Sequence, residues 1–275
     1  MSVIPAYLSR SVAGSYDNEA ISITLLVWSC YFWIKSCKTG SYLLSICCAL
    51  TYSYLVASWG GYSFIIAFIP FYVLSLLILK KFNYKIYICY TIFYIIGNLY
   101  SINTKFVEFK IFHKSEHLLS HLTILLINCK LLYDILDANL SKKQFKILTN
   151  YSITVLTCGT ITFVVYLAFM GKTRFSERIL TILDPSYAKN YIPIIASVSE
   201  HQPTNWATFF FDLHFAFLFT PLGIYYVLKD RSREGIFVCL YFVATVYFAG
   251  VMVRLILVLA PAMCVLSGIG ISCLL

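Results

Sequence analysis

The sequence predicts an all-α fold, a polytopic bundle of transmembrane helices, on three observations. Hydrophobic residues fill 60% of the 275 positions and charged residues 12%, with a mean hydropathy of +0.80. A soluble domain carries about twice that charge, roughly 25%. The apolar residues fall into stretches of about 18 to 22, each long enough as a helix to cross a ~30 Å hydrocarbon core. Short connections join them, which favours helices over a barrel whose strands need about ten alternating residues each.

Nine spans follow in order. The first, 20–37, begins just after Asp17, Asn18 and Glu19, where Asp17 or Asn18 serves as N-cap and Glu19 complements the positive end of the helix dipole. A connector with Lys35 and Lys38 leads to 41–58, and the short Ser-Trp-Gly-Gly-Tyr turn around Trp59 leads to 62–79. Lys80, Lys81 and Lys85 mark the entry to 84–102, and the loop 103–117 precedes 118–136. The mixed charges and histidines of that loop read as a solvated surface. Lys142, Lys143 and Lys146 introduce 149–170, and the longest polar segment, 171–205, introduces 207–228. Lys229, Arg231 and Arg233 separate that span from 236–253, and Arg254 stands between it and 255–275.

The formal net charge of +9 does not indicate a nucleic-acid binder, because the lysines and arginines are dispersed among hydrophobic spans. They recur at every second connector, the pattern of cytoplasmic loops. The alternate loops, 1–19, 103–117 and 171–205, then face the outside or the lumen. None of the ten cysteines lies in those loops, and no Cys-x-x-Cys occurs, so neither a disulfide framework nor a thiolate metal site is expected. The opening MSVIPAYLSRSVAG lacks the basic start and apolar core of a signal peptide, and the closing GIGISCLL stops in an apolar run. One membrane domain over 1–275 is expected, as a fragment or a reduced chain.

Counting crossings places the candidate chemistry. Asp17 and the loop 171–205 are six crossings apart, the Trp59 turn two and Arg254 eight from Asp17, all even numbers. One membrane face therefore collects Asp17, Glu19, Trp59, Glu200 and Arg254. The end of the long loop, residues 192–214, also carries His201, Asp212 and His214, which read more readily as structural groups. Arg254, flanked by apolar residues, is the expensive one: burying arginine in a membrane costs about 2.5 to 3.5 kcal/mol even on lenient scales. A snorkelling anchor is one account of it. A phosphate is the other, because the guanidinium fork donates paired bonds and keeps its charge. Oxygen-only acids such as Asp17, Glu19 and Glu200 suit Mg2+ or Mn2+ over zinc. A metal-assisted site handling a lipid phosphate is the reading these residues support.

The strings SRSVAGSYDNE, SWGGYSFI, YIPIIASVSEHQPTNW, FFFDLH and YFAGVMVRLILVLAPAMCVLSGIGIS resemble, in order and spacing, the catalytic subunit of eukaryotic oligosaccharyltransferase. The resemblance implies a membrane-embedded, GT-C-like glycosyltransferase of the endoplasmic reticulum with its active face lumenal. Such an enzyme transfers a preassembled oligosaccharide from dolichyl pyrophosphate to asparagine in Asn-x-Ser/Thr sequons, alongside other subunits. By resemblance, Asp17 and Glu19 contribute to a Mn2+ or Mg2+ site, and Arg10 is an arginine important for activity beside them. Glu200 contacts the acceptor amide and helps order the metal, Arg254 binds the lipid pyrophosphate, and Trp59 lines the donor site. The family's upstream acidic motif and its C-terminal WWDYG string are absent from these residues. A non-catalytic truncated paralogue and a transporter or scramblase of lipid-linked oligosaccharide are the competing readings.

Overall fold

In a computed structural model the chain is described over residues 4–104, 107–112, 114–139 and 197–275, with Leu180, Thr181, Tyr187 and 190–193 besides. Within these residues ten α-helices have defined bounds, joined by loops and short 3-10 stretches. A short α1 (Pro5–Leu8) leads through a loop to α2 (Asn18–Thr39), α3 (Tyr42–Ser58), α4 (Ser63–Ile78), α5 (Tyr84–Ile102) and α6 (Leu118–Asn139). After Glu200 come α7 (Trp206–Leu213), α8 (Phe215–Asp230), α9 (Arg233–Val251) and α10 (Ile256–Leu274). Six of the described helices are long and apolar enough to cross a membrane, and α3, at 17 residues, is slightly short. The expected span 149–170 and the basic connector at Lys142 lie outside the described residues.

Two expectations need correction. The span expected at 207–228 is not one rod: α7 and α8 meet at 92°. The break is His214, whose backbone at φ 46°, ψ −130° cannot continue a helix. The 103–117 loop is a solvated surface only in part: Asn103, Glu108 and Phe109 are exposed, but Val107, Ile111, Glu116 and His117 are buried. Its apolar residues at 107 and 111 pack into the core and draw the polar pair at 116 and 117 in with them.

Helix ends follow local chemistry. The Asp17 carboxylate accepts from the Asn18 N–H at 2.7 Å to cap α2, and Gly40 closes that helix at φ 78°, a left-handed conformation that glycine takes without penalty. Ser232 caps α9 by accepting from the Gly235 N–H at 3.1 Å. At the same end of the bundle, Lys81 Nζ donates to the Arg231 carbonyl at 2.5 Å and Tyr72 Oη to the Arg233 carbonyl at 3.1 Å. The basic connectors after α4 and α8 therefore gather on one face.

Aromatic residues build the core. Trp33 of α2 meets Phe93 of α5 edge-on at 5.8 Å, and Tyr52 of α3 packs on the same ring at 5.3 Å. Phe68 of α4 meets Phe237 and Tyr241 of α9 at 5.0 and 5.3 Å. A smaller cluster, Ala6, Leu213, Ala249, Ile256, Leu259, Ala260 and Met263, lies where α1, α7 and the α9–α10 junction meet. That junction supports the charged residues described below.

α8 and α10 cross in near backbone contact. A Cβ on Gly223 falls 1.9 Å from the Leu266 carbonyl oxygen, and one on Gly270 falls 2.6 Å from the Phe219 carbonyl oxygen. Small residues permit such approach between membrane helices. Gly223→Ala is expected to force the two helices apart, costing about 1 to 3 kcal/mol as overpacking does, or more because backbone cannot yield. Gly268→Ala, whose Cβ meets nothing within 4 Å, is the control. Thermal unfolding in detergent should show a lowered midpoint for Gly223→Ala alone; equal midpoints refute the close crossing.

Candidate active site

The stretch from Arg10 to Asp17 is a loop closed on itself, with the Asp17 N–H donating to the Arg10 carbonyl at 3.2 Å. Gly14 makes the reversal at φ 92°. Tyr7 anchors the near side through its hydroxyl, 3.3 Å from the Ala20 carbonyl. This closure sets the Arg10 guanidinium over the first turn of α2, above Asp17 and Glu19.

On the other side of the site, extended segments hold Glu200. The Thr204 N–H donates to the Gly250 carbonyl at 3.3 Å, and the Val253 N–H to the Gln202 carbonyl at 3.1 Å. The Thr204 hydroxyl donates to the Ala249 carbonyl as well. Residues 202–204 are thereby fastened along the break between α9 and α10, where Met252 is extended and 253–255 form a 3-10 turn. Glu200 and Arg254 are delivered to the same place by that pairing.

Five charged groups from distant parts of the chain then meet. Glu19 is 1% exposed, and its Oε1 accepts from both Nε and Nη2 of Arg254 at 2.5 Å, a paired contact. Arg10 stands among three acids, with Asp17 Oδ2 at 3.5 Å, Glu19 Oε2 at 3.4 Å and Glu200 Oε1 as its hydrogen-bonded partner. The Glu200 bond, together with the charges of Glu19 and Asp17, raises the Arg10 pKa above the usual guanidinium range against a partial cost of burial. Arg10 therefore stays charged at any accessible pH.

Glu19 Oε2 is buried and makes no hydrogen bond among the described residues. Its 3.4 Å approach to Arg10 Nε is a charge contact without hydrogen-bond geometry. An unsatisfied buried carboxylate oxygen is costly and calls for a further cationic or donor partner. Among the described residues no group of three or more His, Cys, Asp or Glu side chains is arranged to hold a metal ion, because Arg10 occupies the point on which the acids converge. The oxygens gathered here are hard donors, a chemistry that suits Mg2+ or Mn2+ over zinc.

Trp59 caps the end of α3, half-buried, in the turn before α4. Ser58 Oγ lies 3.1 Å from Ser22 Oγ, which itself donates to the Asn18 carbonyl at 2.7 Å. The Trp59 turn is thus tied to the same first turn of α2 that bears Glu19. Asp212 and His214 lie at the α7–α8 break, and His201 has a buried Nδ1 without a hydrogen bond. The Gln202–Thr204 pairing was not legible in the sequence, because backbone pairing between a loop and a helix break leaves no side-chain pattern.

The family model for "Oligosaccharyl transferase STT3, N-terminal" matches residues 1–267. The chain belongs to the oligosaccharyl transferase STT3 family. A dolichyl-diphosphooligosaccharide–protein glycosyltransferase subunit stt-3 of Caenorhabditis elegans is 44% identical over 275 residues, 99% of this chain and 36% of that one. The STT3 subunit of Saccharomyces cerevisiae is 41% identical over 273 residues, 99% of this chain and 38% of its own length. The chain therefore spans rather more than a third of the length of the curated relatives it matches. The archaeal oligosaccharyltransferase AglB from Archaeoglobus fulgidus, solved with an inhibitory peptide and a dolichol-phosphate, shares its fold with a TM-score of 0.70 at 16% identity. That match covers 98% of this chain and 35% of AglB.

Proposed function

We propose that this chain carries the donor-phosphate and acceptor-amide part of an oligosaccharyltransferase site, which moves a preassembled glycan from dolichyl pyrophosphate to asparagine in Asn-x-Ser/Thr. The observation that carries the reading is the buried Glu19 joined to Arg254 and Arg10, with Asp17 and Glu200 gathered on the latter. The named activity of its relatives and the bundle's membrane character support it. The endoplasmic reticulum membrane, a lumenal site, the dolichol-linked donor and further subunits belong to the same proposal.

The chemistry follows from the residue types. A carboxamide nitrogen is a poor nucleophile because its lone pair is delocalised into the carbonyl. Glu200 accepting from one amide N–H, with Asp17 beside it, twists or polarises the amide; as the nitrogen bonds to the sugar's anomeric carbon and the bond from that carbon to the pyrophosphate oxygen breaks, the carboxylates offset the charge on the nitrogen and accept the proton it loses. Arg254 donates its fork to the departing pyrophosphate, stabilising charge where it develops. Arg10 holds the acids in register. A divalent Mn2+ or Mg2+ on Asp17 and Glu19, completed by groups beyond the described acids, supplies further positive charge toward the phosphate when bound.

The test is a chimera in which residues 1–275 replace the matching segment of a full-length relative. Given a lipid-linked oligosaccharide and an Asn-x-Thr peptide, it is expected to glycosylate the peptide, to lose activity on chelation and to regain it with Mn2+. A chimera that assembles normally and moves donor across the bilayer, yet never modifies peptide, identifies a transporter or scramblase instead. One that binds donor and does neither is a non-catalytic paralogue.

A further inference from the structure

We propose that Glu116 is a positioning residue for the donor site, acting through Tyr62 to fix the pose of Trp59; the inference rests on Trp59 lying in that site. The turn Trp59-Gly60-Gly61-Tyr62 joins α3 to α4, with the Tyr62 N–H donating to the Trp59 carbonyl at 3.3 Å. The indole lies flat over Gly61, since a Cβ there would stand 2.3 to 2.5 Å from three ring carbons. Tyr62 is 1% exposed, and its hydroxyl donates to Glu116 Oε2 at 2.9 Å. Glu116, 9% exposed, belongs to the other loop, 107–117, which reaches across to this turn.

The acceptor is the unusual feature. Three other largely buried tyrosines, Tyr72, Tyr90 and Tyr241, place their hydroxyls on backbone carbonyls at 3.0 to 3.1 Å. A neutral carbonyl costs nothing extra to bury; a carboxylate does. Its compensation is a charge-assisted bond, roughly twice as strong as a neutral one. That stronger bond stands at the turn that carries Trp59.

The surroundings fix the acid in place. His117, fully buried, has neither ring nitrogen hydrogen-bonded among the described residues, and its ring lies 6.0 Å from that of Tyr62 and 6.2 Å from that of His121. His121 in turn is held at 2.8 Å by Tyr94 and at 3.3 Å by the Ile111 carbonyl. The carbonyl can only accept, so Nε2 carries the proton and Nδ1 accepts from Tyr94. His117, next in the chain to Glu116, thus joins Tyr62 in a row of rings, so the two partners of the bond are anchored together, and the Trp59 indole rests on Gly61 in the turn that Tyr62 closes. Glu116 touches no reacting atom in this scheme.

The experiment titrates donor and acceptor separately in the chimera carrying Tyr62→Phe, Glu116→Leu, Glu116→Gln or both Tyr62→Phe and Glu116→Leu. Tyr62→Phe keeps the ring, so it decides the matter if Glu116→Leu fails to fold. Loss of the bond is expected to raise the donor KM about tenfold, the lower end for a hydrogen bond to a charged group, with kcat and the acceptor KM changed by less than about threefold. Glu116→Gln, which still accepts from Tyr62, should restore most of the donor KM, and the double variant should be no worse than either single one. A fall in activity that tracks the amount of folded protein, or an unchanged donor KM in folded Tyr62→Phe, overturns the proposal. Trp59→Ala serves as reference: if it too leaves the donor KM unchanged, the failure lies in the placing of Trp59 at the donor site rather than in the latch.

Discussion

Glu19→Ala is expected to be the most damaging single change in this segment. The side chain is almost wholly buried and is the only group seen in contact with both arginines among the described residues. Its removal leaves Arg254 without the paired acceptor and Arg10 without one of three acids. Breaking a buried ion pair by deleting one partner costs about 3 to 5 kcal/mol. The two guanidinium groups are 28% and 33% exposed, so solvent offsets part of that cost. Glu19→Gln separates charge from shape, because it keeps the volume and one acceptor oxygen. In the chimera, Glu19→Ala should lower both the unfolding midpoint and glycosylation, while Glu19→Gln should keep most stability and still lose glycosylation. Normal peptide glycosylation by folded Glu19→Gln removes the carboxylate from the chemistry.

Arg254→Lys is expected to have the second largest effect, through donor binding. The guanidinium presents two nitrogens to one carboxylate oxygen here, and the same fork suits a phosphate. Lysine retains the charge and loses the fork. The loss should be about 1.5 to 3 kcal/mol, toward the lower end because the group is partly solvated. Donor concentration for half-maximal rate should therefore rise roughly tenfold or more. An unchanged donor dependence returns Arg254 to the role of a snorkelling anchor, with Arg10 the next candidate for the phosphate.

The extent to which this arrangement could be read from sequence varies with the physics of each part. Spans are legible because every stretch that crosses a bilayer must be apolar over its whole length, and α2 to α6, α9 and α10 lie close to the stretches read for them. Crossing parity is legible for the same reason, so Glu19 and Arg254, 235 positions apart, could be assigned to one face before any contact was seen. Hydropathy is blind to a bend, because Phe, Leu and Ala are as apolar on either side of His214 as through it. It also misjudged Glu116 and His117: a polar pair reads as solvated unless the apolar residues that bury it are recognised as core. One signal was available. Ser-Glu-His occurs twice, at 115–117 and 199–201, and both copies form a 3-10 turn after an extended residue. One presents its acid to Arg10 and the other to Tyr62.

In the proposed function, two corners of one charged cluster serve two substrates, Arg254 the lipid pyrophosphate and Glu200 the acceptor amide. A crossed titration of donor and acceptor peptide in the chimera tests it directly, with Arg254→Lys and Glu200→Ala compared against the unsubstituted segment. Arg254→Lys should raise the donor KM and leave the acceptor KM alone. Glu200→Ala should depress kcat at saturating donor, by on the order of a hundredfold if its stabilising role matches that of a removed transition-state hydrogen bond, with the donor KM unmoved. If both substitutions shift the same parameters in the same proportion, the cluster is a structural ion-pair network and the division of labour between its two ends is contradicted.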